Sequence, residues 1–255
     1  MDLPDNTLKT RLQAGEVLTG IWLSSASSLL AELAGRAGFD WCLIDGEHSP
    51  QSLPDMLPLL QALAATPTPA VVRIPAAEDW MVKQALDMGA HAVLVPLVHD
   101  ADTAARMASA MRYPPEGHRG MGAAMARASG FGAVTSYVHQ ANRNACLIVQ
   151  AESRAALENI DAIAAIPGVD GVFVGPADLS ADMGFVGQLE HPEVDAAIDH
   201  IIARTHAAGK FAGVLTFNPA RVAKYRAMGV AFLGVGGDVA VLSKALRELA
   251  KQAKS

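Results

Sequence analysis

Charged and polar side chains stand at the ends of several of the eight short apolar runs in this sequence. Asp45 and His48 follow the second run, and Arg73 lies near the end of the third. Glu152 follows the fifth run and Asp178 the sixth. Residues at the carboxyl ends of parallel strands meet at one end of the fold. These five side chains are therefore candidates for a single site.

The two carboxylates are candidates for a metal site. Glu152 and Asp178 come from consecutive runs, so we expect them to be neighbours. Two carboxylates, with waters and substrate oxygens completing the shell, suit a hard octahedral ion such as Mg²⁺ or Mn²⁺. No Cys/His cluster has the spacing of a zinc site. A second interpretation stays open, in which Glu152 caps its helix and Asp178 makes a surface salt bridge.

His48 and Arg73 are candidates for proton transfer and charge stabilisation. His48 precedes Ser49-Pro50, a pair typical of a helix start. A positive helix end keeps an imidazole neutral and able to accept a proton; the alternative is a turn histidine bonded to backbone. Arg73 can hold a carboxylate or a developing oxyanion. Its alternative role is an ion pair with Glu152 or Asp45.

Several cofactor chemistries lack candidate residues. No lysine lies at the carboxyl end of an apolar run, and Lys210 precedes the seventh run, at the opposite end. The first run is followed by Leu23-Ser24-Ser25-Ala26 rather than by a glycine-rich phosphate loop. We therefore expect no Schiff-base lysine, no pyridoxal phosphate and no nicotinamide cofactor.

The apolar runs predict strands that are separated by helix-length segments. The runs are continuously apolar, as is typical of parallel strands covered on both faces. Eight such strands alternating with helices favour a single-domain (β/α)₈ barrel over residues 1–255, with a doubly wound sheet as the main alternative. The predicted strands are Val17–Trp22, Asp40–Ile44, Ala70–Ile74, Ala92–Pro96, Cys146–Ala151, Gly171–Val174, Ala212–Leu215 and Ala231–Val235.

One segment, Tyr113 to Asn144, is much longer than the other connections. Such a connection is uncommon unless it is a lid, a binding loop or a contact with another subunit. Exposed apolar residues there would form a patch that monomers rarely tolerate, which predicts a closed homo-oligomer. The residues of this predicted patch are Met121, Met125, Phe131, Val134 and Tyr137.

Composition excludes several classes of protein. The 51% hydrophobic content excludes a disordered chain, and no apolar run approaches the roughly 18–20 residues of a membrane helix. Twenty basic and 26 acidic residues give a net charge of −6 without long runs of either sign, which argues against nucleic-acid and membrane partners. Cys42 and Cys146 lie in apolar runs, and the start of the chain shows no secretory signal. We expect a cytoplasmic protein with a small-molecule substrate.

The assembled motifs resemble those of the HpcH/HpaI aldolase family, and they run in order over nearly the whole chain. They are Asp45-Gly46-Glu47-His48, Val71-Val72-Arg73-Ile74-Pro75, Tyr113-Pro114-Pro115 through Arg119-Gly120, Gln150-Ala151-Glu152, and Val174-Gly175-Pro176-Ala177-Asp178-Leu179-Ser180.

This resemblance implies a (β/α)₈ fold, a hexameric assembly and a divalent ion, Mg²⁺, Mn²⁺ or Co²⁺, held by Glu152 and Asp178. It implies reversible cleavage of 4-hydroxy-2-oxo acids to pyruvate and an aldehyde. Two alternatives remain open. An acyl-CoA ester lyase of the citrate lyase β-subunit type would need a basic groove for phosphates, which the sequence does not reveal, and a non-catalytic barrel would not need the site residues.

The resemblance also assigns roles to residues around the ion. His48 is the base, and Arg73 stabilises the enolate. Gln150, the backbone at Ala177 and Asp178 bind the substrate.

Asp87 is assigned to raising the basicity of His48, but its predicted place conflicts with that role. Asp87 falls near the end of a helix, at the opposite end of the barrel from His48. Three explanations stay open: a neighbouring subunit supplies Asp87, the helix boundary differs, or Asp45 performs this role instead.

Overall fold

Parallel strands close into a barrel in the computed structural model, which describes residues 3–254. Each strand pairs in parallel with the next along the chain, and the last pairs with the first. This closed order confirms the (β/α)₈ barrel and excludes the open doubly wound sheet. The strands in this part of the chain are β1 (Leu18–Leu23), β2 (Trp41–Asp45), β3 (Ala70–Arg73), β4 (Ala92–Val95), β5 (Leu147–Ala151), β6 (Gly171–Val174), β7 (Phe211–Leu215) and β8 (Phe232–Gly237).

Helices alternate with these strands and cover the outside of the barrel. Within residues 3–254, no helix combines the length and the apolar character that crossing a membrane requires. The helices of this range are α1 (Thr7–Gln13), α2 (Ser28–Gly35), α3 (Met56–Ala64), α4 (Asp79–Asp87), α5 (Ala101–Ala110), α6 (Tyr137–Asn144), α7 (Arg154–Glu158), α8 (Ile160–Ala164), α9 (Pro176–Asp182), α10 (Pro192–Ala207), α11 (Pro219–Ala227) and α12 (Asp238–Gln252).

The apolar side chains form two main cores, one on each face of the strands. The outer core lies between the barrel and the helices. The inner core fills the barrel with aromatic rings, and Trp41 stacks on Phe232 with ring centroids 3.8 Å apart. Leu8 and Leu12 of α1 join this inner core. Burial on both faces explains why the strands are continuously apolar.

The start of the helix after β2 corrects one prediction. Ser49-Pro50 does not begin a helix: a 3₁₀ turn begins at Leu53, with Ser52 as its N-cap, and leads into α3. The Ser49 hydroxyl instead donates to the backbone carbonyl of Asp45, within the turn that follows β2. His48 therefore lies in a turn, away from a helix N-terminus, and the argument from the helix dipole does not apply to it.

The long connection before β5 is more structured than a loop. It contains two 3₁₀ turns, Ala123–Met125 and Arg127–Ser129, and ends in α6. Tyr137 is buried and Val134 is half-buried, contrary to the predicted patch. The other three members of that patch are exposed: Met121 by 64%, Met125 by 84% and Phe131 by 72%.

The last helix, α12, presents apolar side chains to solvent. Asp238 is its only buried residue, although the helix runs for 15 residues. Among its apolar residues, Val241 is 60% exposed, Leu246 55% and Leu249 63%. An exposed stripe of this kind is rare on a monomer.

We predict that Gly20→Ala destabilises the barrel, because a Cβ at Gly20 would lie 2.0 Å from Cδ2 of Trp41. The Trp41 indole is held by stacking on Phe232 and by its Nε1–H, which donates to the carbonyl of Leu18 over 3.2 Å. Overpacking of this kind costs about 1–3 kcal/mol. Chemical denaturation measures the loss. Gly236→Ala is the control, because a Cβ there meets nothing within 4 Å, and equal stability of the two variants would contradict the prediction.

Candidate active site

A cavity of about 920 Å³ opens at the carboxyl ends of the strands. Trp22 and Phe173 contribute to its walls. Residues that follow separate strands thus line one cavity, as the sequence analysis expected. The predicted site residues that line the cavity are Asp45, His48, Arg73, Gln150, Ala177 and Asp178.

Arg73 and Asp45 form a buried, two-pronged ion pair. They lie opposite each other in the register of β2 and β3. Arg73 Nε donates to Asp45 Oδ1 and Nη2 donates to Oδ2, each over 2.8 Å. Burial alone raises the pKa of the Asp45 carboxyl, but the hydrogen bonds and charge of Arg73 outweigh burial and hold this pKa below its usual value. The predicted ion pair with Asp45 is therefore present, whereas the structure places Glu47 rather than Glu152 as the second partner of Arg73.

Glu47 is a site residue that the sequence analysis missed, although it lay within a quoted motif. Its Oε2 atom lies 2.8 Å from Arg73 Nη1 and 3.8 Å from His48 Nε2. Burial raises the pKa of the Glu47 carboxyl, and the charges of Asp45 and Asp178 act in the same direction. Arg73 and His48 oppose this rise. The only available signal was that Glu47 shares the turn that carries Asp45 and His48.

Glu152 is a buried carboxyl that is not itself among the residues lining the cavity, although its partner Gln150 is. Its Oε1 accepts the backbone N–H of Leu97 over 2.8 Å, and its Oε2 contacts Nε2 of Gln150. Burial raises the Glu152 pKa to about 7, and the charges of Glu47 and Asp178 add to the rise. Uncompensated negative charge that accumulates in this way favours a bound cation or a proton.

The donor set fits a hard divalent ion with an open coordination shell. Within residues 3–254, no group of three or more His, Cys, Asp or Glu side chains forms a preassembled metal cluster. Glu152 and Asp178 offer carboxylate oxygens alone, and Oε1 of Gln150 is buried without a hydrogen-bond donor. Oxygen donors with free positions for water and substrate are typical of Mg²⁺ and Mn²⁺ sites.

The backbone at Gly175 passes directly against the side chains of Glu152 and Gln150. A Cβ at Gly175 would lie 2.2 Å from Oε2 of Glu152. Glycine is therefore needed where β6 leads into α9, because any side chain there would collide with Glu152. The first turn of α9 then brings Ala177 and Asp178 to the cavity.

His48 is accessible, with 62% of its side chain exposed. Its backbone N–H lies 3.4 Å from Asp45 Oδ1, which also accepts the N–H of Glu47 over 3.0 Å. The Asp45 carboxylate thus holds the turn in place by accepting the backbone N–H groups of Glu47 and His48. The same carboxylate also accepts the two hydrogen bonds from Arg73. The proposal that Asp45 tunes the imidazole of His48 has no supporting contact.

Asp87 lies at the carboxyl end of α4 and is not among the residues that line the cavity. Its Oδ1 accepts from Nη2 of the buried Arg119 over 2.5 Å. Arg119 also contacts Tyr137 of α6. Within one chain, the structure therefore pairs Asp87 with the long connection before β5 rather than with His48.

Basic side chains border the outer part of the cavity, which the sequence did not indicate. Arg221, Lys244 and Arg247 line this part. Arg221 is neutralised by ion pairs with Glu190 and Asp195. Of these three cations, Arg221 is thus already paired with carboxylates of its own chain.

Comparisons with known proteins show which family this chain resembles in sequence. Residues 18–245 match the model of the HpcH/HpaI aldolase/citrate lyase family. The chain is 50% identical over 254 residues to a hydroxypyruvate/pyruvate aldolase of Agrobacterium fabrum, covering 100% of this chain and 96% of that protein. It is 47% identical over 245 residues to a 4-hydroxy-2-oxo-heptane-1,7-dioate aldolase of Salmonella dublin, covering 96% of this chain and 93% of that protein.

The fold of this chain also matches that of a solved structure from the same family. A HpcH/HpaI aldolase/citrate lyase family protein from Burkholderia cenocepacia superposes with a TM-score of 0.94 at 40% identity, covering 98% of this chain and 100% of the other. The family model matches most of the sequence and a solved member of the family shares its fold, so the chain belongs to the HpcH/HpaI aldolase/citrate lyase family.

Proposed function

We propose that this protein is a divalent-metal-dependent aldolase that reversibly cleaves 4-hydroxy-2-oxo acids to pyruvate, or a close analogue, and an aldehyde. The aldolase activity follows from family membership and from near-half identity to pyruvate aldolases over the whole chain. The observation that carries the metal dependence is the buried carboxyl of Glu152. Burial and the nearby negative charge of Asp178 both disfavour its ionised form unless a cation is bound.

Glu152 and Asp178 are the residues that hold the ion. Both supply oxygen donors, and a divalent charge stabilises the buried Glu152 carboxylate against the repulsion of the exposed Asp178. When bound, the ion supplies Lewis acidity that polarises a keto oxygen and stabilises an enolate. Gln150 and the first turn of α9 at Ala177 lie beside these carboxylates and bind the substrate's carboxylate end.

The chain's own residues move the proton and stabilise the developing charge. His48 is exposed to the cavity and takes the proton from the 4-hydroxyl group of the substrate during cleavage. Arg73 is held between two carboxylates, and the guanidinium N–H groups not used by Asp45 and Glu47 face the oxygen on which negative charge develops.

The exposed apolar surfaces support a closed homo-oligomer, and by family resemblance a hexamer. The stripe on α12 is defined by Val241, Leu246 and Leu249, and Leu29 and Leu33 of α2 are also exposed, by 72% and 64%. A second copy of this chain is the occupant that a self-complementary apolar surface favours. The exposed Met and Phe side chains of the connection before β5 provide a further contact area.

A neighbouring subunit is also the route by which Asp87 reaches His48. Asp87 belongs to the same surface region as this long connection, because Arg119 joins it to Tyr137. We propose that subunit contact brings this carboxylate to the imidazole of the adjacent barrel, where an opposite charge favours the protonated form of His48.

Removal of divalent ions should abolish cleavage. We expect exhaustive chelation to stop pyruvate release from a 4-hydroxy-2-oxo acid, and Mg²⁺, Mn²⁺ or Co²⁺ to restore it. Borohydride with pyruvate should leave no covalent adduct by mass spectrometry, because no lysine lies at a strand's carboxyl end. Activity that survives chelation, or a trapped imine, would refute metal dependence.

The same ion should bind more weakly in acid. Because the Glu152 pKa is about 7, a proton competes with the ion below neutral pH. We expect the dissociation constant, measured by calorimetry, to rise by up to about tenfold per pH unit below pH 7. Glu152→Gln should remove most of the affinity at every pH.

His48→Ala and Arg73→Ala should both depress kcat. Loss of a proton-transfer group costs about 10²–10⁴-fold, and loss of a donor to a developing oxyanion costs about 10²–10³-fold. We expect both proteins to keep Mn²⁺ affinity, measured by calorimetry, because neither residue is a ligand. A variant with normal kcat and a changed KM alone would contradict the role assigned to that residue.

Mixed subunits should test the assembly and Asp87 together. His48→Ala and Asp87→Asn subunits are each expected to be inactive, and their mixture after dissociation and reassembly should regain activity, because some sites combine an intact residue from each chain. Light scattering gives the mass, and native mass spectrometry verifies subunit exchange. No recovery despite exchange would confine Asp87 to its own barrel, and a monomeric mass would reject the oligomer.

A further inference from the structure

Glu47 joins the two side chains that the proposed mechanism uses. Its side chain is only 11% exposed, and the same Oε2 atom lies 2.8 Å from Arg73 Nη1 and 3.8 Å from His48 Nε2. This oxygen is closed to solvent and receives no aligned hydrogen bond. Its environment is therefore set by the charges of Arg73 and His48 rather than by water.

The other carboxylates near Arg73 cannot replace Glu47. Both oxygens of Asp45 are occupied by Nε and Nη2 of Arg73, which leaves Nη1 without a partner except Glu47. In the described part of the chain, Glu47 is also the only carboxylate with a recorded contact to the imidazole of His48. One residue thus holds the third nitrogen of the guanidinium and faces the imidazole.

Resting on the proposed function, we infer that Glu47 is a positioning residue with two effects. Its charge contact at Nη1 adds a third anchor to the guanidinium that Asp45 already orients, so that the remaining N–H bonds stay directed at the substrate oxygen. It also balances the positive charge that His48 acquires when it takes up a proton.

The proton transfer that Glu47 supports is balanced within one turnover. In cleavage, the 4-hydroxyl proton passes to His48, the C3–C4 bond breaks, and its electron pair becomes the enolate while C4 becomes the aldehyde carbon. The imidazolium, opposite Glu47, then returns the proton to C3 to give pyruvate. No oxidant, reductant or other reactant is needed.

Charged groups face Glu47 from every element around it. Arg73 lies on β3, Asp45 on β2 and His48 in the same turn, while Asp178 of α9 and Glu152 after β5 act from across the cavity. The acidic groups all disfavour the Glu47 carboxylate. Arg73 and His48 are the contacts that retain it, which is the reason for expecting both effects from one residue.

Two substitutions separate these effects. Glu47→Ala removes both the contact to Nη1 and the charge, and should lower kcat about 10–100-fold with a smaller change in KM. Glu47→Gln keeps an oxygen for Nη1 and should regain part of that loss. Both variants should move the acid limb of the kcat–pH profile by about 0.5 unit to lower pH, because an anion about 4 Å from an imidazole favours its protonated form.

The matched control is Glu16→Gln, which alters another Glu–Arg pair, formed with Arg11 over 2.8 Å and remote from the cavity. It should leave kcat and the profile unchanged. Mn²⁺ affinity should stay within about threefold in both Glu47 variants. A kcat of Glu47→Ala close to the wild-type value would overturn the positioning of Arg73, and an unshifted acid limb in Glu47→Gln would overturn the charge balance.

A second measurement does not depend on turnover. The titration midpoint of the His48 imidazole, followed by NMR in metal-free protein, should fall in Glu47→Gln by the same amount as the acid limb. If Glu47→Ala fails to fold, Glu47→Gln and this titration decide the inference. Absence of pyruvate release by the metal-loaded wild type would reject the proposed function, whereas an unshifted titration would reject only the role of Glu47.

Discussion

The site depends on one buried charge pair between adjacent strands. Arg73 and Asp45 face each other across β2 and β3, and each would be costly to bury without the other. The same Asp45 carboxylate accepts the backbone N–H groups of Glu47 and His48. The pair therefore fixes the guanidinium and also shapes the turn that carries the imidazole, so strand register and site geometry are specified by the same contact.

Around this pair, negative charge exceeds positive charge. Arg73 is the one cation among four carboxylates, Asp45, Glu47, Glu152 and Asp178, and the charges of neighbouring acids add to the burial that raises the pKa values of Glu47 and Glu152. Such an arrangement lowers the stability of the empty site at neutral pH, because the folded state holds Glu152 away from water. A divalent cation bound at the proposed site would reverse this cost and so link occupancy of the site to the stability of the fold.

Much of the site could be predicted because, in a parallel barrel, residues at the carboxyl ends of separate strands meet at one end of the fold. Asp45, Arg73 and Asp178 follow runs of Val, Ile and Leu, so their convergence needed no knowledge of side-chain conformation. The contacts of Glu47 could not be predicted, because they depend on how the turn after β2 folds back. The prediction that Ser49 begins a helix was wrong for the same reason, because its hydroxyl donates to the Asp45 carbonyl within the turn.

The apolar stripe of α12 shows what a single sequence leaves undecided. Its periodicity predicts a helix but does not say which surface the helix covers, and the barrel of the same chain leaves it uncovered. A helix of 15 residues has little stability of its own in water. In the proposed oligomer a second subunit covers this stripe, so we expect proteases to cleave α12 at rates that fall as protein concentration rises. Newly made copies that have not yet assembled would then be the most vulnerable, which would tie the half-life of the chain in a cell to its abundance.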